Sequence, residues 1–197
     1  MRLANGRIKT AFWVFGVVSI SARTVFAAED FRLFTEKILG AEDNEVIRYV
    51  LLAEGQRFSF LPPAGWSVKA DKTKRTITLL PQDLKAGITM KIDQESNDGA
   101  PGLNVALLRE RIVGRYPGAK FIREFECATD GRTALAFDLV RVVEKNTKAG
   151  MRIVFAPYDN GTVEFELTTA AARLADYHIP FSRMLYSFHV STTDAKR

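Results

Sequence analysis

The chain has 197 residues, 47% hydrophobic and 26% charged, with a formal net charge of +5 and one cysteine. That length buries one sizeable core, and a lone cysteine excludes an internal disulfide as its staple. Residues 1–27 hold four of the 28 basic residues (Arg2, Arg7, Lys9, Arg23) and no acidic one, so the remainder carries 24 against 23 and no basic run to attract nucleic acid.

The first segment, MRLANGRIKTAFWVFGVVSISARTVFA, is basic and then apolar from Ala11 to Ile20, and it ends in small residues. This is the pattern of a secretory signal peptide over residues 1–27, with cleavage between Ala27 and Ala28. Its apolar run is about half of the roughly 20 residues a bilayer-crossing helix needs, so no stable membrane span is expected. No cysteine lies at the cleavage site for lipid attachment. The expected location is extracytoplasmic, periplasmic or secreted.

Residues 28–45 read as an N-terminal arm or short helix, with Asp30 as cap, Phe31, Phe34 and Ile38 at helical spacing, and Gly40 as the stop. The domain itself is expected over residues 46–190. It begins with two extended runs around Glu54-Gly55, a hairpin ended by Pro62-Pro63. A strand from Trp66, a turn at Asp71–Lys74, and the strands RTITLL and ITMKIDQ follow, the last with Ile88, Met90 and Ile92 on one face. NDGAPG is a loop leading into a helix from about Leu103 to Tyr116, in which Val105, Leu108, Ile112 and Tyr116 form the apolar stripe and Arg109, Glu110, Arg111 and Arg115 face away. In the next strand, KFIREFECAT, Cys127 alternates with Phe121 and Phe125 as a small buried residue.

A turn at Asp130-Gly131 follows, and residues 131–168 then read as a three-stranded meander. A three-residue loop at Asp159, Asn160 and Gly161 would set Phe155 opposite Phe165 and Ile153 opposite Leu167, gathering Met151, Ile153, Phe155, Val163, Phe165 and Leu167 on the core face. The other face would carry Arg152, Glu164 and Glu166, joined by Arg141, as a charged surface for a partner. The last helical stretch buries Phe181, Met184, Leu185 and Phe188 and tolerates Pro180 near the start of its second segment. STTDAKR, residues 191–197, is expected to be a frayed tail.

FSFLPPAGW at 58–66, the loop and helix through Leu103–Tyr116, GRTALAFDL at 131–139 and the final helix closing on Ser187-Phe188 together make the chain from about Arg57 to Phe188 similar to the PsbP-like family. The resemblance implies an α+β fold, an α/β/α sandwich on a mainly antiparallel sheet in a single domain. It also implies a protein that acts by binding, since the fold is shared by a photosystem II subunit, a Ran-binding import factor and bacterial envelope proteins.

A search for chemistry assigns no catalytic, cofactor or metal set. His178 and His189 lie near the two ends of the final helix, and Asp176 is two residues from His178, a spacing that does not share a helical face. Ser182 with His178, or Cys127 with either histidine, would need a third, orienting group. Glu164 and Glu166 are about 7 Å apart by strand rise, a spacing a charge ladder also explains. Asp93, Glu95 and Asp98 lack EF-hand spacing, and Asn160-Gly161-Thr162 has a turn role that already accounts for it.

The sequence therefore predicts a non-enzymatic extracytoplasmic binding or accessory protein that assists assembly or stability of an envelope or membrane complex, with an envelope or membrane protein as its partner, no cofactor and no nucleic acid. Candidate partner surfaces are the Arg152, Glu164, Glu166 face and the NDGAPG loop. The alternatives are a small-molecule or metal carrier, with a pocket lined by Phe181, Tyr186 and Trp66, and an envelope hydrolase.

Overall fold

The computed structural model describes residues 31–39, 44–94, 103–144 and 147–193. The expected signal segment 1–27 with its cleavage residues Ala27 and Ala28, the NDGAPG loop, Glu95 and Asp98, and residues 194–197 lie outside these. Eleven strands are described: β1 (Arg32–Leu39), β2 (Glu45–Ala53), β3 (Gln56–Phe60), β4 (Ser67–Asp71), β5 (Thr76–Leu80), β6 (Ala86–Gln94), β7 (Lys120–Thr129), β8 (Arg132–Glu144), β9 (Thr147–Tyr158), β10 (Gly161–Ala170) and β11 (His189–Thr192). Helix α1 spans Val105–Arg115, and a 3-10 turn at Ala171–Tyr177 leads into α2, His178–Ser187.

A seven-stranded sheet runs β4-β5-β6-β10-β9-β8-β7, and a small sheet runs β1-β2-β3-β11, with every pairing antiparallel. The small sheet and α2 cover one face of the large sheet, burying Phe58, Phe60, Phe181 and Met184 against Ile88, Met90, Val163 and Phe165. Helix α1 covers part of the other face, setting Leu108 and Ile112 on Phe137, Ile153 and Phe155. This is a single α+β domain of sandwiched layers, as expected.

Two of the two-residue turns fall at expected turn positions. Asp130-Gly131 joins β7 to β8 with φ of 51° and 71°, and Glu54-Gly55 joins β2 to β3 with φ of 55° and 67°. Two successive positive φ values define the I′ turn, whose twist matches the flanking strands. The predicted helix at 31–38 is instead the edge strand β1, paired along its length with β2. The helical spacing of Phe31, Phe34 and Ile38 loses to pairing because Leu33, beside Leu51 and Phe58, then packs on the main core. At the other end, Ser191 and Thr192 belong to β11 rather than to a tail.

The β9–β10 register differs from the expected one. Tyr158 pairs with Gly161 across a two-residue Asp159-Asn160 turn, so Phe155 lies opposite Glu164 and Phe165 opposite Val154. Met151, Ile153 and Phe155 therefore face α1, while Val163, Phe165 and Leu167 face α2 and the small sheet. The expected register assumed one buried face, whereas both faces of this sheet are covered here.

Helix α1 starts at Asn104, whose Oδ1 accepts the backbone N–H groups of Ala106 and Leu107 at 3.0 and 3.2 Å. Three of the four charged residues expected to face away reach back to the sheet. Arg109 Nε donates to Glu124 of β7 at 2.7 Å, Arg111 Nη1 to Asp93 of β6 at 3.1 Å, and Arg115 pairs with Glu164 of β10. Long side chains flanking an apolar stripe can cover it and still meet a carboxylate beyond.

Candidate functional site

The register separates the three residues expected to form one charged surface. Arg152 is 5% exposed on the α2 side, where its Nε and Nη2 donate to Asp138 at 2.7 and 2.9 Å. Glu164, 3% exposed, lies on the α1 side, where Arg115 Nη2 donates to it at 2.9 Å and Nη1 completes a bidentate pair. Glu166 accepts from Tyr116 Oη at 2.5 Å and from Thr168 Oγ1 at 3.0 Å. These side chains are engaged in pairs within the domain, with Arg152 and Glu164 almost fully withdrawn from solvent.

The electrostatics follow from that docking. The hydrogen bond to Glu164 raises the Arg115 pKa despite partial burial. Burial, and then the hydrogen bond to Glu166, pushes Tyr116 up to about 12. Burial alone would raise the Asp138 carboxyl, but hydrogen bonds and charge from Arg152 and Arg123 outweigh it and hold Asp138 below its ordinary value.

The sequence-derived chemical candidates are also placed. Burial pushes the Cys127 thiol up, against the charge of Arg152, which is the wrong direction for a nucleophilic thiolate. Burial and the charge of Arg152 lower the pKa of His178, whose Nε2 is buried without a hydrogen-bond partner. Asp176 pairs with Arg173, Asp93 with Lys91 and Arg111, and His189 Nδ1 meets Asp130, which also accepts the Val190 N–H at 3.1 Å. Among the described residues, no three His, Cys, Asp or Glu side chains gather as metal ligands.

A cleft of about 480 Å³ lies elsewhere. The turn after β3 supplies Leu61, Pro62, Pro63, Ala64 and Trp66, while β2 adds Val46 and α2 adds Pro180, Arg183 and Met184. The turn is closed by the Trp66 N–H donating to Pro63 O at 3.1 Å. It is tied to α2 by the Leu61 N–H donating to Ser187 Oγ at 2.9 Å, and that hydroxyl donates to Met184 O at 2.7 Å. The Trp66 indole packs edge-on to Tyr177, with centroids 5.9 Å apart. Pro180 stands in the first turn of α2, where its missing N–H costs no helical hydrogen bond.

Of the three residues the sequence offered for such a pocket, only Trp66 lines it. Phe181 is 0% exposed in the core and Tyr186 is 74% exposed. Arg183 and Met184 were missed as lining residues. Met184 belongs to the buried stripe of α2, and Arg183 precedes it at the exposed edge of that stripe, where both line the cleft with FLPPAGW. Among the described residues, Arg183 is the only charged one lining the cleft and it holds no carboxylate. A smaller hollow of about 280 Å³ lies between the start of α1 and the sheet, lined by Leu103, Val105, Glu126, Thr133, Leu135 and Pro157.

No protein-family model matches the chain, and no curated protein does. Several solved structures are similar to it. Cyanobacterial PsbP (CyanoP) from Synechocystis sp. PCC 6803 matches at 16% identity and a TM-score of 0.49, over 87% of this chain and 98% of that one. The Ran-binding protein Mog1p of Saccharomyces cerevisiae matches at 7% identity and a TM-score of 0.44, over 80% and 96%. LpqN of Mycobacterium tuberculosis, described as involved in cell envelope biogenesis, matches at 10% identity and a TM-score of 0.40, over 81% and 92%.

Proposed function

We propose that this chain is a non-catalytic binding protein that works outside the cytoplasm after cleavage between Ala27 and Ala28, and that it takes its ligand in the Trp66 cleft. The cleft carries the reading. Its volume lies within the roughly 300–1,000 Å³ of small-molecule sites, and it is apolar with a single placed charge, the usual constitution of such a site. The raised Cys127 thiol and the paired carboxylates speak against hydrolysis.

The test is native mass spectrometry of the chain purified gently from the envelope fraction of its host. An N-terminal mass beginning at Ala28 and a retained non-protein adduct are expected, with the adduct lost from an Ala64→Trp variant that fills the cleft from its exposed rim. An adduct that survives Ala64→Trp would place the ligand elsewhere. A bare chain bound to another protein through a different surface would replace this reading with that of an accessory subunit of an envelope complex.

A further inference from the structure

Building on the cleft as the ligand site, we infer that its ligand is a single-chain anionic amphiphile, with its acidic head on Arg183 and its hydrocarbon body between Trp66, Pro62, Pro63 and Met184. The lining decides the body. None of the lining side chains carries an oxygen, and besides the Arg183 guanidinium the Trp66 indole N–H is the one polar side-chain group among them. A buried sugar or nucleobase would lose its water without gaining partners, and an extended peptide would press its amides on walls that carry no acceptor side chain. A hydrocarbon chain needs neither. Flat proline rings, an indole face and a flexible thioether give it continuous contact without fixing one shape.

The head is decided by charge. Among the described residues the cleft has one ionisable side chain, a guanidinium, and no carboxylate. Nine of the thirteen described arginines hold carboxylates, whereas Arg183, like Arg32, Arg48 and Arg141, holds none, and it stands exposed at the end of an apolar wall. A carboxylate or phosphate monoester head would meet this guanidinium as a bidentate pair at the solvent edge, where neither charge has to be stripped of water. A cationic head would meet only repulsion.

Trp13 lies in the signal segment, so a chain carrying Trp13→Phe has Trp66 as its only tryptophan whether or not the signal is removed. Its emission, with the chain exported and purified from its host, is followed during titration with laurate, dodecyl maltoside and dodecyltrimethylammonium, each below its micellar concentration. Laurate is expected to give a saturable change and to bind more tightly than either of the others. Arg183→Gln should weaken laurate by about five- to tenfold, the range of a partly exposed ion pair, and leave dodecyl maltoside unchanged. Equal binding of laurate and maltoside, indifferent to Arg183→Gln, would overturn the anionic head while leaving the cleft a binding site. No saturable response to any of the three would remove both. A dimer in which Trp66 is already shielded would assign the cleft to a second copy of the chain and overturn the inference.

Discussion

Arg152 and Asp138 form a salt bridge at 2.7 Å on the α2 side of the large sheet, with both side chains almost fully withdrawn from solvent. Arg123 reaches the same carboxylate at 3.0 Å from the edge strand β7 with its own side chain half exposed, and both guanidinium groups lie over the Phe125 ring. A buried pair is a weak net stabiliser, but removing one partner strands the other charge. Asp138→Ala should therefore cost about 3–5 kcal/mol in denaturant unfolding. Arg123→Ala should cost about 1 kcal/mol or less. Equal costs would mean that the burial of Arg152 does not set the penalty.

The same cluster gives the domain a pH dependence. His178 opens α2, and its imidazole is held below the ordinary 6.5 by burial and Arg152, with Asp138 opposing and Arg123 adding to the shift. Folding favours the neutral ring, so this contribution is complete above pH 6.5 and is lost as pH falls through the lower folded value. The contribution of Asp138 is likewise present above 3.8 and is lost as pH falls through its own lowered value. Thermal melting between about pH 7 and 5 should thus decline less steeply in His178→Gln than in the parent. Parallel curves would show that His178 titrates without consequence for folding.

Tyr158 gives a prediction of opposite sign. Its hydroxyl is buried without a partner, while its ring packs edge-on to Phe58 with centroids 5.3 Å apart. Burial, followed by the charges of Glu54 and Asp93, pushes the phenol up to about 12. Tyr158→Phe keeps the ring contact and removes an unsatisfied group, so at neutral pH it should be neutral or stabilising by up to about 1 kcal/mol. The protonated phenol is favoured by folding, and its contribution is lost as pH rises from 10 towards 12. The advantage of the phenylalanine variant should therefore widen above pH 10, as read by melting curves. A clear loss of stability at neutral pH would show that the hydroxyl is satisfied after all.

Helix α1 tests how far an ion pair depends on its surroundings. Arg115 meets a Glu164 side chain that is 4% exposed, whereas Arg109 meets Glu124 with both partners substantially in water. Arg115→Ala leaves a buried carboxylate and should cost about 3 kcal/mol or more. Arg109→Ala should cost about 0.2–1 kcal/mol. Restoring stability to Arg115→Ala by adding Glu164→Gln would locate the penalty in the abandoned charge.

Which features were legible follows from how local their causes are. The turns at Glu54-Gly55 and Asp130-Gly131 are written in adjacent residues, because I′ geometry demands two positive φ values there. The stripe Phe181, Met184, Leu185 and Phe188 is equally local, since α2 buries one side only. Strand β1 was misread because an edge strand's identity depends on its neighbour, and FRLFTEKIL has helical spacing until β2 is beside it. The cleft was half legible. Trp66 stands out after Pro62-Pro63, but Arg183 and Met184 join it only through the hydrogen bond of Ser187 to Leu61, 126 residues away.

Phe155 and Phe165 offer a direct test of the sheet register. In the expected pairing they would be cross-strand neighbours on one face and would couple by about 0.5 kcal/mol or more. In the structure they lie on opposite faces, Phe155 beneath α1 and Phe165 against Phe188 with centroids 4.9 Å apart. The intervening sheet removes any shared cavity, so relaxation around one ring does not reach the other. Phe155→Leu and Phe165→Leu should each destabilise by about 1–2 kcal/mol, with the double variant equal to their sum within about 0.5 kcal/mol. A coupling well beyond that in a double-mutant cycle would return the two rings to one face, and with them Arg152 to the side of Glu164 and Glu166.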